Sequence, residues 1–103
     1  MSGYFYLDVL LKLASEAENP LPVYVKGCIE QSLHRIFGEI GGHTTVDVLK
    51  FDEKRHRLIL RVPEEFYVKL RAALTLIDKF QGIPCYFHVQ SASRVLISLV
   101  DTF

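Results

Sequence analysis

Apolar and polar positions alternate through Tyr4–Leu13 (YFYLDVLLKL). Phe5, Leu7, Val9, Leu11 and Leu13 fall on one side of an extended chain, and Tyr4, Tyr6, Asp8 and Lys12 on the other. This period of two predicts a strand with one buried face and one polar, aromatic face. Residues 14–22 are polar and bounded by prolines, and read as a loop. From Val23 to Phe37 the period changes. Val25, Ile29, Leu33, Ile36 and Phe37 recur at helical spacing, and Gly38 stands where a helix commonly ends in a left-handed residue.

Two further strand-forming runs, Thr44–Phe51 and Arg55–Val62, flank a polar turn of Asp52, Glu53 and Lys54, which predicts a β-hairpin. Along the second run Arg55, Arg57, Ile59 and Arg61 share one face, with His56, Leu58, Leu60 and Val62 on the other. The apolar set belongs to a core, so the arginines are expected together on the opposite side. Pro63 opens a second helix, with Glu64 and Glu65 in its first turn, where carboxylates favour the positive helix end. Phe66, Leu70, Ala73, Leu74 and Ile77 make its buried stripe, and Gly82 follows its end. Ile83–Gln90 is expected as a fourth strand. Residues 93–103 read either as a short helix capped by Ser91 or Ser93 or as a fifth strand.

The predicted order is βαββαβ plus a tail. Right-handed crossovers would place both helices on one side of a four-stranded antiparallel sheet, an α+β ferredoxin-like sandwich. The other face is expected open, showing Tyr4, Tyr6, Asp8, Arg57, Ile59, Arg61, Tyr86, His88 and Gln90. Such a mixture suits an interface. Tyr4, Tyr6, Ile59, Tyr86 and His88, with Val95 and Leu96 of the VLISLV tail, are expected to pack on partner proteins. Lys50, Lys54, Arg55, Arg57 and Arg61 are expected to contact RNA phosphates.

Composition narrows the function classes. At 103 residues the chain is expected to form one domain over 1–103, and 50% apolar content excludes a disordered segment. Twelve Lys and Arg balance twelve Asp and Glu. A dedicated nucleic-acid binder carries a basic excess, so any RNA contact here must be local. The chain does have a local basic excess: between Lys50 and Arg61, five basic residues stand against two acids. Cys28 and Cys85 form no CxxC pair and read as small buried apolar residues in a reducing compartment. No secretory pattern and no apolar run of ~20 residues is present, so a soluble intracellular protein is expected.

Candidate chemistry is sparse. His34, His43, His56 and His88 lie on different elements without metal-ligand spacing, and Cys85 and His88 point to opposite faces of one strand. Gly38–Gly41 (GEIG) matches the KH loop by letters but leads from helix to strand, and Gly41-Gly42-His43 lacks the following GK[ST] of a phosphate loop. The 14–22 loop has no arginine of the acylphosphatase kind, and HRLILRV does not supply the RRM signature. No active site is expected.

Several strings then converge on one family: YFYLDVLLKL, IFGEI, VDVLKFDEK, ILRV, VKLRAALTLI and CYFHVQS, in order from about Tyr4 to Leu99. The chain resembles the small ferredoxin-like protein subunits of eukaryotic ribonuclease P and ribonuclease MRP, most of all the fourteen-kilodalton type. The resemblance implies a subunit without catalysis of its own. It braces a catalytic RNA and pairs with other protein subunits, while the RNA removes the 5′ leader of precursor tRNA. It implies no cofactor on this chain, with Mg2+ on the RNA subunit, and a nuclear, nucleolar location. Two readings stand beside it. One is a free-standing RRM-like binder of single-stranded RNA. The other is a small-molecule sensor or hydrolase, which would need a polar pocket.

Overall fold

The computed structural model describes residues 3–17, 20–41, 46–96, 99 and 103, with backbone alone for 39–41. The elements are β1 (Tyr4–Leu13), α1 (Pro22–Gly41), β2 (Asp47–Asp52), β3 (Arg57–Pro63), α2 (Tyr67–Leu76), β4 (Lys79–Phe80) and β5 (Ile83–Ser93). A 3-10 turn, Glu64–Phe66, leads from Pro63 into α2.

The strands form one antiparallel sheet in the order β2-β3-β1-β5-β4. The sheet therefore has five strands where four were expected. The additional strand, β4, is two residues long and pairs Lys79 with Pro84 and Phe80 with Ile83. Two residues carry no periodicity, so its signal lies in the turn: Gln81 and Gly82 both have positive φ, 52° and 78°. That is the backbone of a tight two-residue hairpin. Gly82 thus serves a hairpin and not a helix end, and α2 stops at Leu76 because Ile77 is already extended, with ψ 121°.

One face of the sheet carries both helices. The alternate residues Leu7, Val9 and Leu11 of β1, Leu58, Leu60 and Val62 of β3, and Phe87 of β5 meet Val25, Ile29 and Leu33 of α1 and Leu70, Ala73 and Leu74 of α2 in one buried cluster. Each such aliphatic side chain contributes about 1.5–3 kcal/mol on burial. Pro22 occupies the first position of α1, where its missing N–H costs nothing. Ser32 ties the helices together, its Oγ donating to the Ala73 carbonyl at 3.0 Å in a buried position. Gly38 ends the regular part of α1 with φ 73° and ψ −170°, as expected of its place in the sequence. Ile36, placed in the core by spacing, is exposed.

The second hairpin strand begins two residues later than expected, at Arg57, and the turn is wider; Thr44 and Thr45 of the first lie outside the described residues. Glu53 to His56 all lie in it, His56 with φ 53°. Arg55 therefore sits in the turn and does not share the strand face of Arg57. Of the element expected over 93–103, residue 93 is the last of β5, residues 94–96, Leu99 and Phe103 are described, and the other five lie outside the described residues.

Candidate interaction surface

Alternation sends Tyr4, Tyr6 and Asp8 of β1, Arg57, Ile59 and Arg61 of β3, and Tyr86, His88 and Gln90 of β5 to the face away from the helices. The register pairs Tyr6 with Arg61 and Asp8 with Ile59. A register shift between Asp8 and Val9 against β5 brings Gln90 beside Asp8, and its Nε2 donates to Asp8 Oδ1 at 3.0 Å.

The centre of this face is closed. Ile59 is wholly buried, Arg57 is 5% exposed and Leu99 of the C-terminal segment is 5% exposed. Arg57 makes a two-point ion pair with Asp8, Nε to Oδ1 at 2.9 Å and Nη2 to Oδ2 at 2.7 Å. Its Nη2 also donates to the Leu99 carbonyl at 3.3 Å, and the Phe103 ring lies 4.8 Å from its Cζ. The hydrogen bond to Asp8 raises the Arg57 pKa above its already high ordinary value, so the guanidinium stays charged. Arg57 is thus a buried structural cation, which corrects its assignment to RNA phosphates. Ile59 is covered from within the chain, which corrects its assignment to a partner interface. For Arg57 the physical reason is tertiary: the Leu99 carbonyl and the Phe103 ring, distant in sequence, lie against it.

Around this centre the remaining positions are accessible. Tyr4 is 46% and Tyr86 59% exposed, and His88 is exposed. Val95 is exposed, and Tyr6 and Leu96 are half-buried. Arg61 pairs with Asp47, Nη2 to Oδ2 at 2.8 Å, and its Cζ lies 4.9 Å from the Tyr4 ring centre. The Asp47 hydrogen bond raises its pKa as well. Lys50 and Lys54 are exposed, Lys50 with its Nζ 5.5 Å from the Phe103 ring centre. In the hairpin turn, Asp52 Oδ1 accepts from the backbone N–H of Lys54 and Arg55, at 3.0 and 3.2 Å. The Arg55 side chain meets Asp52 at 3.3 Å and is 61% exposed. The accessible cations of the predicted set are therefore Lys50, Lys54 and Arg55, with Arg61 partly engaged.

A second basic and aromatic cluster has no counterpart in the sequence pattern. Phe5 and Tyr67 stack at 4.3 Å between ring centres, inclined by 18°. Arg94 lies over Phe5 at 5.0 Å and Arg71 over Tyr67 at 5.8 Å. Arg94 also pairs with Glu64, and Arg71 Nη1 donates to the Tyr67 hydroxyl at 3.0 Å. Phe5 reads as a core residue by alternation, and nothing local signals that it meets Tyr67 sixty-two positions later. The spacing of Tyr67 and Arg71 along one helix is the legible hint.

Nucleophilic and metal chemistry have little to build on. Burial raises the pKa of both thiols: Cys28 less clearly, with Arg35 opposing, and Cys85 up to about 11, with Cys28 and Asp78 adding to the effect. Among the described residues no three His, Cys, Asp or Glu side chains gather as a metal site. A cavity of about 460 Å³ opens between Val23 and Lys26 of α1 and Asp47 and Leu49 of β2, with walls more apolar than polar. No helix among the described residues is long and apolar enough to cross a membrane.

With this geometry in hand, the chain can be set beside known proteins. A family model described as the Rpp14/Pop5 family matches residues 4–98. The ribonuclease P protein subunit p14 of Mus musculus is 34% identical over 98 residues, covering 95% of this chain and 80% of that protein. The subunit of the same name from Homo sapiens is 30% identical over 98 residues, covering 95% and 79%. A chain in the cryo-EM structure of yeast ribonuclease MRP superposes with a TM-score of 0.72 at 14% identity, over 93% of this chain and 77% of that one, a likeness of fold.

Proposed function

We propose, because this chain belongs to the Rpp14/Pop5 family, that it is an accessory protein subunit of ribonuclease P, with ribonuclease MRP as a second assembly. The observation that carries this reading is the family match from residue 4 to residue 98, joined by relatives of the same kind along 95% of the chain. In this reading the five-stranded sheet is a ferredoxin-like frame, β2-β3-β1-β5, with β4 added at one edge. The chain performs no chemical step. An RNA subunit carries the Mg2+ and the hydrolysis that releases the 5′ leader of precursor tRNA, and this protein braces that RNA and joins neighbouring protein subunits in the nucleus and nucleolus.

The charge arrangement supports a bracing role. Internal pairing of Arg57 with Asp8 and Arg61 with Asp47 engages two of the five cations expected to meet phosphate. The other three, Lys50, Lys54 and Arg55, are exposed at or near the β2–β3 turn, which makes the turn the RNA-facing edge of this reading. Tyr4, Tyr86, His88 and Val95 are exposed and would face protein neighbours.

The test is purification of the tagged chain from cell extract, with sequencing of bound RNA, identification of bound proteins and assay of the eluate on precursor tRNA. A structured RNA accompanied by 5′-leader cleavage is expected. A monomer free of RNA and of cleavage would refute the assignment.

A further inference from the structure

The four-layer stack Arg94–Phe5–Tyr67–Arg71 ends in an arginine whose geometry is already half used. Glu64 Oε1 pairs with Nη2 of the Arg94 guanidinium and offsets its charge. The Arg94 Cζ lies over the Phe5 ring, 5.0 Å from the ring centre. The side chain is nevertheless 65% exposed. What remains is a flat, electron-poor surface held by a ring stack beneath it and an ion pair at its side. A partner that binds there does so by stacking, and its charge is secondary.

We infer that the outer face of Arg94 is a stacking site for one unpaired nucleobase of RNA. Arginine planes receive splayed-out bases in this way, and a guanidinium already paired with Glu64 favours a planar ring over an acidic peptide. The neighbourhood is consistent with this. Tyr4 lies on the opposite face of β1 with Arg61 over it at 4.9 Å, so the start of β1 carries an aromatic–arginine pair on each side. Ser93 Oγ accepts from the Val95 N–H at 2.9 Å and closes a turn around Arg94. Arg71, at 5.8 Å from Tyr67 and bonded to its hydroxyl, is the less complete end of the stack. The site lies at the far end of β3 from the Lys54–Arg55 turn, about 20 Å away at strand rise. The two contacts are therefore separable.

The inference rests on the ribonuclease P reading for the identity of the RNA, but its chemistry can be measured alone. The full chain is titrated with a short unstructured oligoadenylate and with an abasic strand of equal length. The wild type is expected to bind the oligoadenylate about tenfold more tightly. Arg94→Lys keeps the charge and loses the plane, so it should erase that preference with the salt dependence unchanged. Arg71→Lys should retain it. An Arg94→Lys chain that binds both strands as the wild type does would overturn the site, as would loss of the preference in Arg71→Lys alone.

In complexes purified on tagged chains, the Arg94→Lys form should hold the same RNA and proteins, with one unpaired nucleotide newly open to base-specific modification. Loss of a protein neighbour with RNA reactivity unchanged would make Arg94 a protein contact and refute the base site. Wild-type chain that purifies without ribonuclease P RNA would refute the proposed function, and the oligoadenylate comparison would still decide the stack.

Discussion

Asp8 and Arg57, 49 positions apart, meet as a buried two-point ion pair at 2.7 and 2.9 Å. Removing one member of such a pair leaves the other charged and desolvated, which costs about 3–5 kcal/mol. Arg57→Ala should lower stability by that amount, read as the midpoint of urea unfolding near neutral pH. Replacing both, as Asp8→Leu with Arg57→Met, should recover much of the loss. A change within about 0.5 kcal/mol for Arg57→Ala would instead be the signature of a surface residue.

The hairpin turn behaves differently. Lys54 and Arg55 are exposed, so alanine at both should leave unfolding within about 0.5 kcal/mol of the wild type. If they meet phosphate, the double variant weakens RNA binding and reduces the slope of log affinity against log salt by roughly 0.7–0.9 for each phosphate no longer neutralised. Equal slopes for the two proteins would remove these residues from the RNA interface.

Gly38 and Gly82 differ in a way that substitution can measure. A Cβ at either meets nothing within 4 Å, so the cost of alanine is conformational. Gly82 sits at φ 78° in the β4–β5 turn, and the left-handed region costs roughly 1–2 kcal/mol. Gly38, at φ 73° and ψ −170°, lies in a region essentially reserved for glycine, at about 1–3 kcal/mol. Gly38→Ala should therefore be the more damaging of the two in thermal unfolding.

Cys85 gives a pH dependence of definite sign. Burial raises its pKa from 9.0 to about 11 in the folded state. The folded protein thus holds the thiol proton more tightly than the unfolded chain does. The associated stability is complete below pH 9.0 and is lost as pH rises towards about 11. Wild type minus Cys85→Ala, compared by urea midpoint across that window, should decline with pH. Both thiols should also react sluggishly with a thiolate-specific reagent near pH 8.

Most of the frame is legible in the sequence because its signals are local. Alternation in β1 and β3 identifies the core face residue by residue, and the spacing of Val25, Ile29 and Leu33 identifies α1. Gly38 marks the end of the regular helix in both sequence and structure. β4 is invisible because Lys79 and Phe80 are too few to show a period. The candidate surface is legible in direction but not in accessibility. Alternation places Arg57 and Ile59 away from the helices, yet only tertiary structure can bring the Leu99 carbonyl to Arg57. The Arg94 stack is illegible for the same reason, since Phe5 and Tyr67 meet through the fold and not through spacing.

The buried Leu99, whose carbonyl meets Arg57 on the sheet face away from the helices, gives the molecule two thermodynamic levels. The sheet between helices and cover holds the amides of β1 and β3 under the large cluster on one side, so their hydrogen exchange should require global unfolding. Among the described residues the cover rests on the buried Leu99, its carbonyl that accepts from Arg57, and the Phe103 ring beside Arg57 and Lys50. It can detach in a smaller opening that leaves the main core intact, so the Leu99 amide should exchange well ahead of those at Leu7 and Leu60.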